Sequence, residues 1–178
     1  MKIALWIAAG LVIVVGLVLL IGSRLPVRHR ARVELRINAA PQTVYALISD
    51  VARAPDWRED VKSIELLADE NGVPRFRETG ANGVVTYRIE TAEAPRRFVT
   101  RIADIDLGYG GSWTYDVMPD GAGSVLVITE DGEVHSALFR FMARFVFGHY
   151  RSIENYLGAL AAALGESARP RRLTDEAS

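Results

Sequence analysis

The chain falls into three stretches that differ in how apolar and polar positions follow one another. From Ile3 to Ile21 there is no charge and no alternation, only Leu, Val, Ile, Ala, Gly and Trp6. A helix rises about 1.5 Å per residue, so about 20 such residues cross a hydrocarbon core about 30 Å thick. The stretch therefore predicts one N-terminal transmembrane helix. It runs into Ile21-Gly22-Ser23-Arg24 with no Ala-x-Ala, which favours a retained anchor over a cleaved signal. From residue 30 onward the pattern becomes a period of two. Val33, Leu35 and Ile37 alternate with Arg32, Glu34 and Arg36, which predicts a half-buried strand over 30–38. Pro41 then suits the first turn of a helix over 41–49, and a second short helix runs from Asp50 to near Trp57. Six further strands are expected at about 61–69, 73–79, 84–93, 96–105, 111–118 and 123–134. Turn residues separate them: Asn71-Gly72, Asn82-Gly83, Ala94-Pro95 and Asp120-Gly121.

From about Ala137 to Gly165 the period becomes helical, with Leu138, Met142, Phe145, Ile153, Leu157, Leu160 and Leu164 on one stripe. This reads as one long helix, the only element able to cover the concave face of a curved antiparallel sheet. The tail 166–178, with Pro170 and mixed charges, is expected to be disordered. The domains are thus an anchor over 1–23, a basic linker over 24–29, a folded domain over 30–165 that should fold alone, and the tail.

The segment Ala39-Ala40-Pro41-Gln42-Thr43-Val44-Tyr45-Ala46-Leu47-Ile48-Ser49-Asp50, followed by Pro55-Asp56-Trp57, resembles the signature of the START-like or SRPBCC superfamily, the polyketide cyclase/dehydrase and lipid-transport group. Gly111-Ser112-Trp113-Thr114-Tyr115, the strand from Gly123 and the terminal helix extend the likeness over about 30–165. The resemblance implies an α+β helix-grip fold: a curved sheet of about seven strands around a long C-terminal helix, with two short helices after the first strand. It also implies a cavity between sheet and helix. Members of the group bind lipids, sterols, polyketides or quinones, act as cyclases, or have no known ligand, so the fold does not decide the activity.

Composition changes this picture in a few places. Of 178 residues 49% are hydrophobic and the net charge is −1, which gives no reason to expect a nucleic-acid partner. Nearly all basic residues are Arg, as a GC-rich bacterial genome would produce. Arg24, Arg28, Arg30, Arg32 and Arg36 follow the apolar stretch against Lys2 before it. The positive-inside rule then puts the folded domain in the cytoplasm, on a single-pass protein of the inner membrane. The absence of cysteine removes disulfides, thiolate metal sites and a cysteine nucleophile.

Candidate chemistry is sparse. His29 reads as a solvated juxtamembrane residue, and no two of the three histidines have metal-ligand spacing, so neither metal nor cofactor is expected. Ser112 reads as a strand serine, and the glycines of 108–111 as a turn or bend at the cavity edge. Cavity candidates are Tyr87, Trp113, Tyr115, Glu130, His135, Phe145, Tyr156 and Leu160. The three strand aromatics either line a pocket with polar tips or pack plainly. Glu130 shares parity with Leu126 and Ile128; it is either an inward carboxylate able to act as acid or base, or a strand-end group facing solvent. His135 carries the same two readings. Trp57 should pack its helix onto the sheet. Leu138–Phe147, apolar almost all round, should pack on the sheet, the alternative being a face that gates the cavity or touches the bilayer. The favoured function is a membrane-anchored module that holds an apolar small molecule. A polyketide cyclase or dehydratase is the alternative, and an interaction protein with a filled interior is the second.

Overall fold

The structure, a computed structural model, describes residues 2–81 and 83–174, the side chains of residues 2–5 and 8 excepted. A 23-residue helix α1 (Lys2–Arg24) leads into β1 (Arg28–Ile37), α2 (Pro41–Ser49) and a 3₁₀ turn (Val51–Asp56). Six strands follow: β2 (Val61–Glu70), β3 (Val73–Gly80), β4 (Gly83–Glu93), β5 (Arg97–Ile102), β6 (Tyr109–Asp120) and β7 (Gly123–Val134). The chain closes with α3 (Ala137–Met142), a π turn (Ala143–Phe147), α4 (Arg151–Ala163) and β8 (Arg171–Leu173). All eight strands form one sheet, in the order β2-β3-β4-β5-β6-β7-β1-β8. This is an α+β helix-grip-like architecture, as the resemblance implies, with eight strands in place of the seven expected. Of the expected turns, Asn71-Gly72 is present with positive φ at both residues, while Asn82 lies outside the described residues.

β1 lies against β7 along its whole length, from Arg28 opposite Glu133 to Ile37 opposite Ser124. Facing residues on neighbouring strands share a side of the sheet. The inner face is thus set in rows: Phe98, Tyr115, Ile128 and Val33 in one, Thr100, Trp113, Glu130 and Ala31 in the next. α4 crosses this face with Ile153, Leu157 and Leu160 fully buried against it. Each such side chain contributes about 1.5–3 kcal/mol when withdrawn from water.

Three expectations need correction. The C-terminal helix is not continuous. A π turn runs into Gly148, whose φ of 75° is open to glycine at little cost and ends the helix before α4 begins. Leu138–Phe147 consequently swings off the sheet: no residue of α3 or the π turn is buried, so this segment is not core. The tail is not wholly unstructured either, because Arg171–Leu173 pairs with the free edge of β1 as β8. Two ion pairs hold it there. Arg171 meets the buried Glu34 at 2.7 Å, and Arg172 meets Glu154 of α4 at 2.6 Å.

The expected membrane span coincides with α1. Among the described residues no helix is long and apolar enough to cross a membrane. The apolar stretch Ile3–Ile21 runs partly over the side chains outside the description. The end of α1 is held firmly. A Cβ at Gly22 would collide with the carbonyl oxygen of Ala137, so the first turn of α3 sits directly on this glycine. The Arg140 Nε donates a 2.8 Å hydrogen bond to the Gly22 carbonyl. Only Leu25, Pro26 and Val27 separate α1 from β1, fewer than the linker expected over 24–29.

Candidate functional site

Between the inner face of the sheet and α4 lies a cavity of about 1070 Å³. That is at the upper end of the ~300–1,000 Å³ found for small-molecule pockets. Its aromatic wall follows from strand parity. Tyr87 stacks on Phe76 at 5.1 Å, Trp113 lies 6.1 Å from Tyr115, and Tyr156 of α4 meets both at 5.8 and 5.5 Å between ring centroids. Trp57 does pack its turn inward, edge-on to Tyr156 at 5.2 Å, and it also lines the cavity. Its indole nitrogen is buried with no hydrogen-bond acceptor among the described residues.

The phenols are held neutral. Burial, then the nearby Glu78, pushes Tyr87 far above the ordinary tyrosine range. Burial likewise raises Tyr115, and burial together with Tyr115 raises Tyr156. Thr100 and Tyr156 are polar neighbours of the Tyr115 hydroxyl, and both bear on its pKa. The wall thus offers hydroxyl dipoles to a ligand oxygen and no phenolate.

Two polar clusters interrupt the apolar lining. In the first, Arg58 follows the 3₁₀ turn and reaches under the Tyr156 ring, 5.3 Å from its centroid. Its guanidinium donates to Glu78 at 2.8 Å and to Asp60 at 2.6 Å. Burial works against this charge, yet the bonds and attraction of the two carboxylates hold its pKa above the usual arginine range. In the second, the His29 Nε2 lies 3.1 Å from Glu130 Oε1, and the His149 ring lies 4.0 Å from that of His29, tilted by 30°. Gly132 makes the room: a Cβ there would overlap the His29 ring. His149 follows the Gly148 break, and burial, then repulsion from His29, lowers its pKa. Among the described residues no group of three or more His, Cys, Asp or Glu could hold a metal ion.

Five of the eight sequence candidates meet at this cavity: Tyr87, Trp113, Tyr115, Glu130 and Tyr156. The other three lie elsewhere. The His135 side chain is 55% exposed, 3.9 Å from Glu133, because it follows the end of β7. Phe145 is 57% exposed on the π turn, carried away from the sheet by the helix break. Leu160 is fully buried in the core and does not reach the cavity surface. His29 is not a solvated linker residue but the second residue of β1, facing inward. Sequence reasoning missed Arg58, Glu78, His29 and His149. Glu78 carried a signal, since it shares parity with the buried Phe76 two residues earlier.

The model of the family described as polyketide cyclase/dehydrase and lipid transport matches residues 28–165. The chain belongs to that family. No curated protein matches its sequence. Solved structures of the START/SRPBCC fold do match. The Zhui aromatase/cyclase from Streptomyces sp. R1128 superposes with a TM-score of 0.64 at 15% identity, covering 78% of this chain and 94% of that one. Norcoclaurine synthase from Thalictrum flavum gives 0.62 at 16% identity, covering 79% and 88%. A START superfamily protein from Mycobacterium smegmatis gives 0.59 at 19% identity, covering 78% and 97%. At such identities these likenesses establish this polyketide cyclase/dehydrase and lipid transport member's fold and leave its chemistry open.

Proposed function

We propose that this family member holds an apolar small molecule bearing one or more oxygen acceptors, of lipid, quinone or polyketide type, beside a membrane into which α1 inserts. The cavity between sheet and α4, walled by Tyr87, Trp113 and Tyr156, carries the reading. Burying an apolar ligand there is favoured by about 25 cal/mol per Å², and neutral hydroxyls can orient an oxygen without demanding charge. An interior of this size also speaks against the filled-core interaction protein. The anchor reading is supported by the 23-residue length of α1, about 34 Å, and by its exposed apolar side chains from Trp6 to Ile21. The arginines after it favour the cytoplasmic side for the domain.

Extraction of the full chain from its native membranes, followed by mass spectrometry of bound small molecules, tests the first part. A single enriched apolar species is expected, and Trp113→Asp should lose most of it. An empty protein, or identical capture by Trp113→Asp, would refute this use of the cavity. A reporter fused after Ser178 that is active only in the periplasm would refute the orientation.

One observation favours a second reading, a cyclase or dehydratase. His29 and Glu130 form an imidazole–carboxylate pair on the cavity wall, a unit able to take and return a proton. His29→Gln and Glu130→Gln should leave ligand capture nearly intact in a binding protein. Turnover of an apolar carbonyl compound that disappears in both variants would establish the enzyme instead.

A further inference from the structure

The end of the domain next to α1 is unlike the rest of its surface. Phe139 of α3 and Phe145, Val146 and Phe147 of the π turn are each more than half exposed, and Ile105, in the loop before β6, is 93% exposed. Scattered apolar residues on a surface need no explanation, but a contiguous group does. Two contacts link parts of this group. Phe139 lies against Gly108 at the base of the Ile105 loop, and the Phe141 and Phe145 rings meet at 4.9 Å. Arg24 at the end of α1, Arg144 in the π turn and Arg151 at the start of α4 are exposed, with the Arg144 guanidinium 5.7 Å from the Phe145 ring.

The position of α1 supplies the occupant. Its last turn is pinned to α3 by the Gly22–Ala137 contact and by Arg140, which also donates to the Val134 and His135 carbonyls at 3.2 and 2.9 Å. The helix end, the close of β7 and α3 are thus stitched into one piece. Whatever surface α1 enters, α3 and the π turn must meet. We infer that the apolar face formed by Phe139, Phe145–Phe147 and Ile105 lies in the headgroup–acyl boundary of the bilayer that α1 spans, with the arginines at the level of anionic headgroups. This rests on the anchor reading of α1. Aromatic and aliphatic side chains interleaved with Arg are the composition of an interfacial segment. Such arginines gain about 1 kcal/mol each near an anionic surface. Ala143, Gly148 and His149 of the same segment line the cavity, so its wall and this boundary are two sides of one stretch of chain.

The absence of cysteine makes the test direct. Single cysteines at Phe139, Val146, Leu11 and Met118, each carrying a nitroxide, are introduced in the full chain. The protein is reconstituted into vesicles of phosphatidylcholine and phosphatidylglycerol. Met118 is exposed near the far end of β6, about 30 Å along the strand from Tyr109, and serves as the aqueous reference. Labels at 139 and 146 should collide more with oxygen than with a water-soluble nickel chelate, as the label at 11 does, while the label at 118 shows the reverse. Labels at 139 and 146 that match 118, with 11 still in lipid, would overturn the inference and leave the anchor standing. A label at 11 in water would overturn both. Val146 and Ile105 are so exposed that cysteine there should not unfold the domain, so Ile105→Cys replaces Phe139→Cys if the latter lowers the melting temperature.

Discussion

Arg58 is the charge on which the interior most depends, and removing it has a calculable consequence. Its side chain is 15% exposed, that of Glu78 13%, and that of Asp60 49%. Arg58→Met keeps the aliphatic stem and deletes the guanidinium. Asp60 can turn to water, so its lost pair costs under about 1 kcal/mol. Glu78 cannot. A carboxylate stranded by loss of its partner costs about 3–5 kcal/mol, and the ring contact with Tyr156 adds about 0.5–1. The single variant should therefore lose about 4 kcal/mol. Glu78→Leu leaves Arg58 with Asp60 and should lose about 2 kcal/mol, within the range for a broken charged hydrogen bond. The double variant Arg58→Met/Glu78→Leu buries neither charge, and apolar replacements of buried pairs are often close to neutral. It should lose less than Arg58→Met alone, giving a coupling of more than about 2 kcal/mol. The assay is denaturant unfolding of the full chain in detergent micelles, followed by tryptophan fluorescence, across the four corners of the cycle. A double variant that loses the sum of the two singles would refute the argument, as would an Arg58→Met variant within 1 kcal/mol of the parent.

The remaining predictions concern the second cluster and the tail. His149 has its folded-state pKa depressed below the ordinary value of 6.5, so its contribution to stability is present above about pH 6.5 and is lost as the pH falls through the folded value. His149→Gln should therefore lose less stability than the parent between about pH 7 and 5, and coincident pH profiles would contradict this. Deleting residues 170–178 removes Arg171 and Arg172, leaves the buried Glu34 with Arg36 at 3.8 Å among the described residues, and frees Glu154. A loss of about 1–3 kcal/mol is expected from unfolding curves, and an unchanged midpoint would mean that β8 is decoration.

The strands were legible because each buries one face, and burial on one side of a pleated chain forces alternation. Trp113, Tyr115 and Glu130 could be assigned a side from parity alone, and the register of β6 on β7 gives them the side they share with Leu126 and Ile128. The break in the last helix was not legible. Phe145 and Ile153 are eight residues apart, a step that a continuous helix tolerates, and Gly148 alone does not reveal a π turn. The same break explains why Phe145 fails as a lining residue while Tyr156, on the packed half, succeeds. The His29–Glu130 pair spans 101 residues of sequence and exists because β1 returns to lie beside β7. No local pattern encodes that pairing. β8 is three residues long, too short for a period to show, and it owes its place to Glu34 and Glu154 on other elements.

Even with the contacts of Gly22 and Arg140 opened, the three residues Leu25, Pro26 and Val27 allow at most about 10 Å between the end of α1 and the domain. With α1 in a bilayer, a molecule dissolved in that bilayer meets the cavity almost as part of the same object. Short tethers act as effective concentrations of about mM. A cavity of modest intrinsic affinity would then stay occupied, and its occupancy would follow the make-up of the surrounding lipid instead of the amount of free ligand in water. With α1 so held, the same shortness would deny the domain any reach to a second membrane. Its cargo would have to be handed to a partner that comes to it or used where it is held.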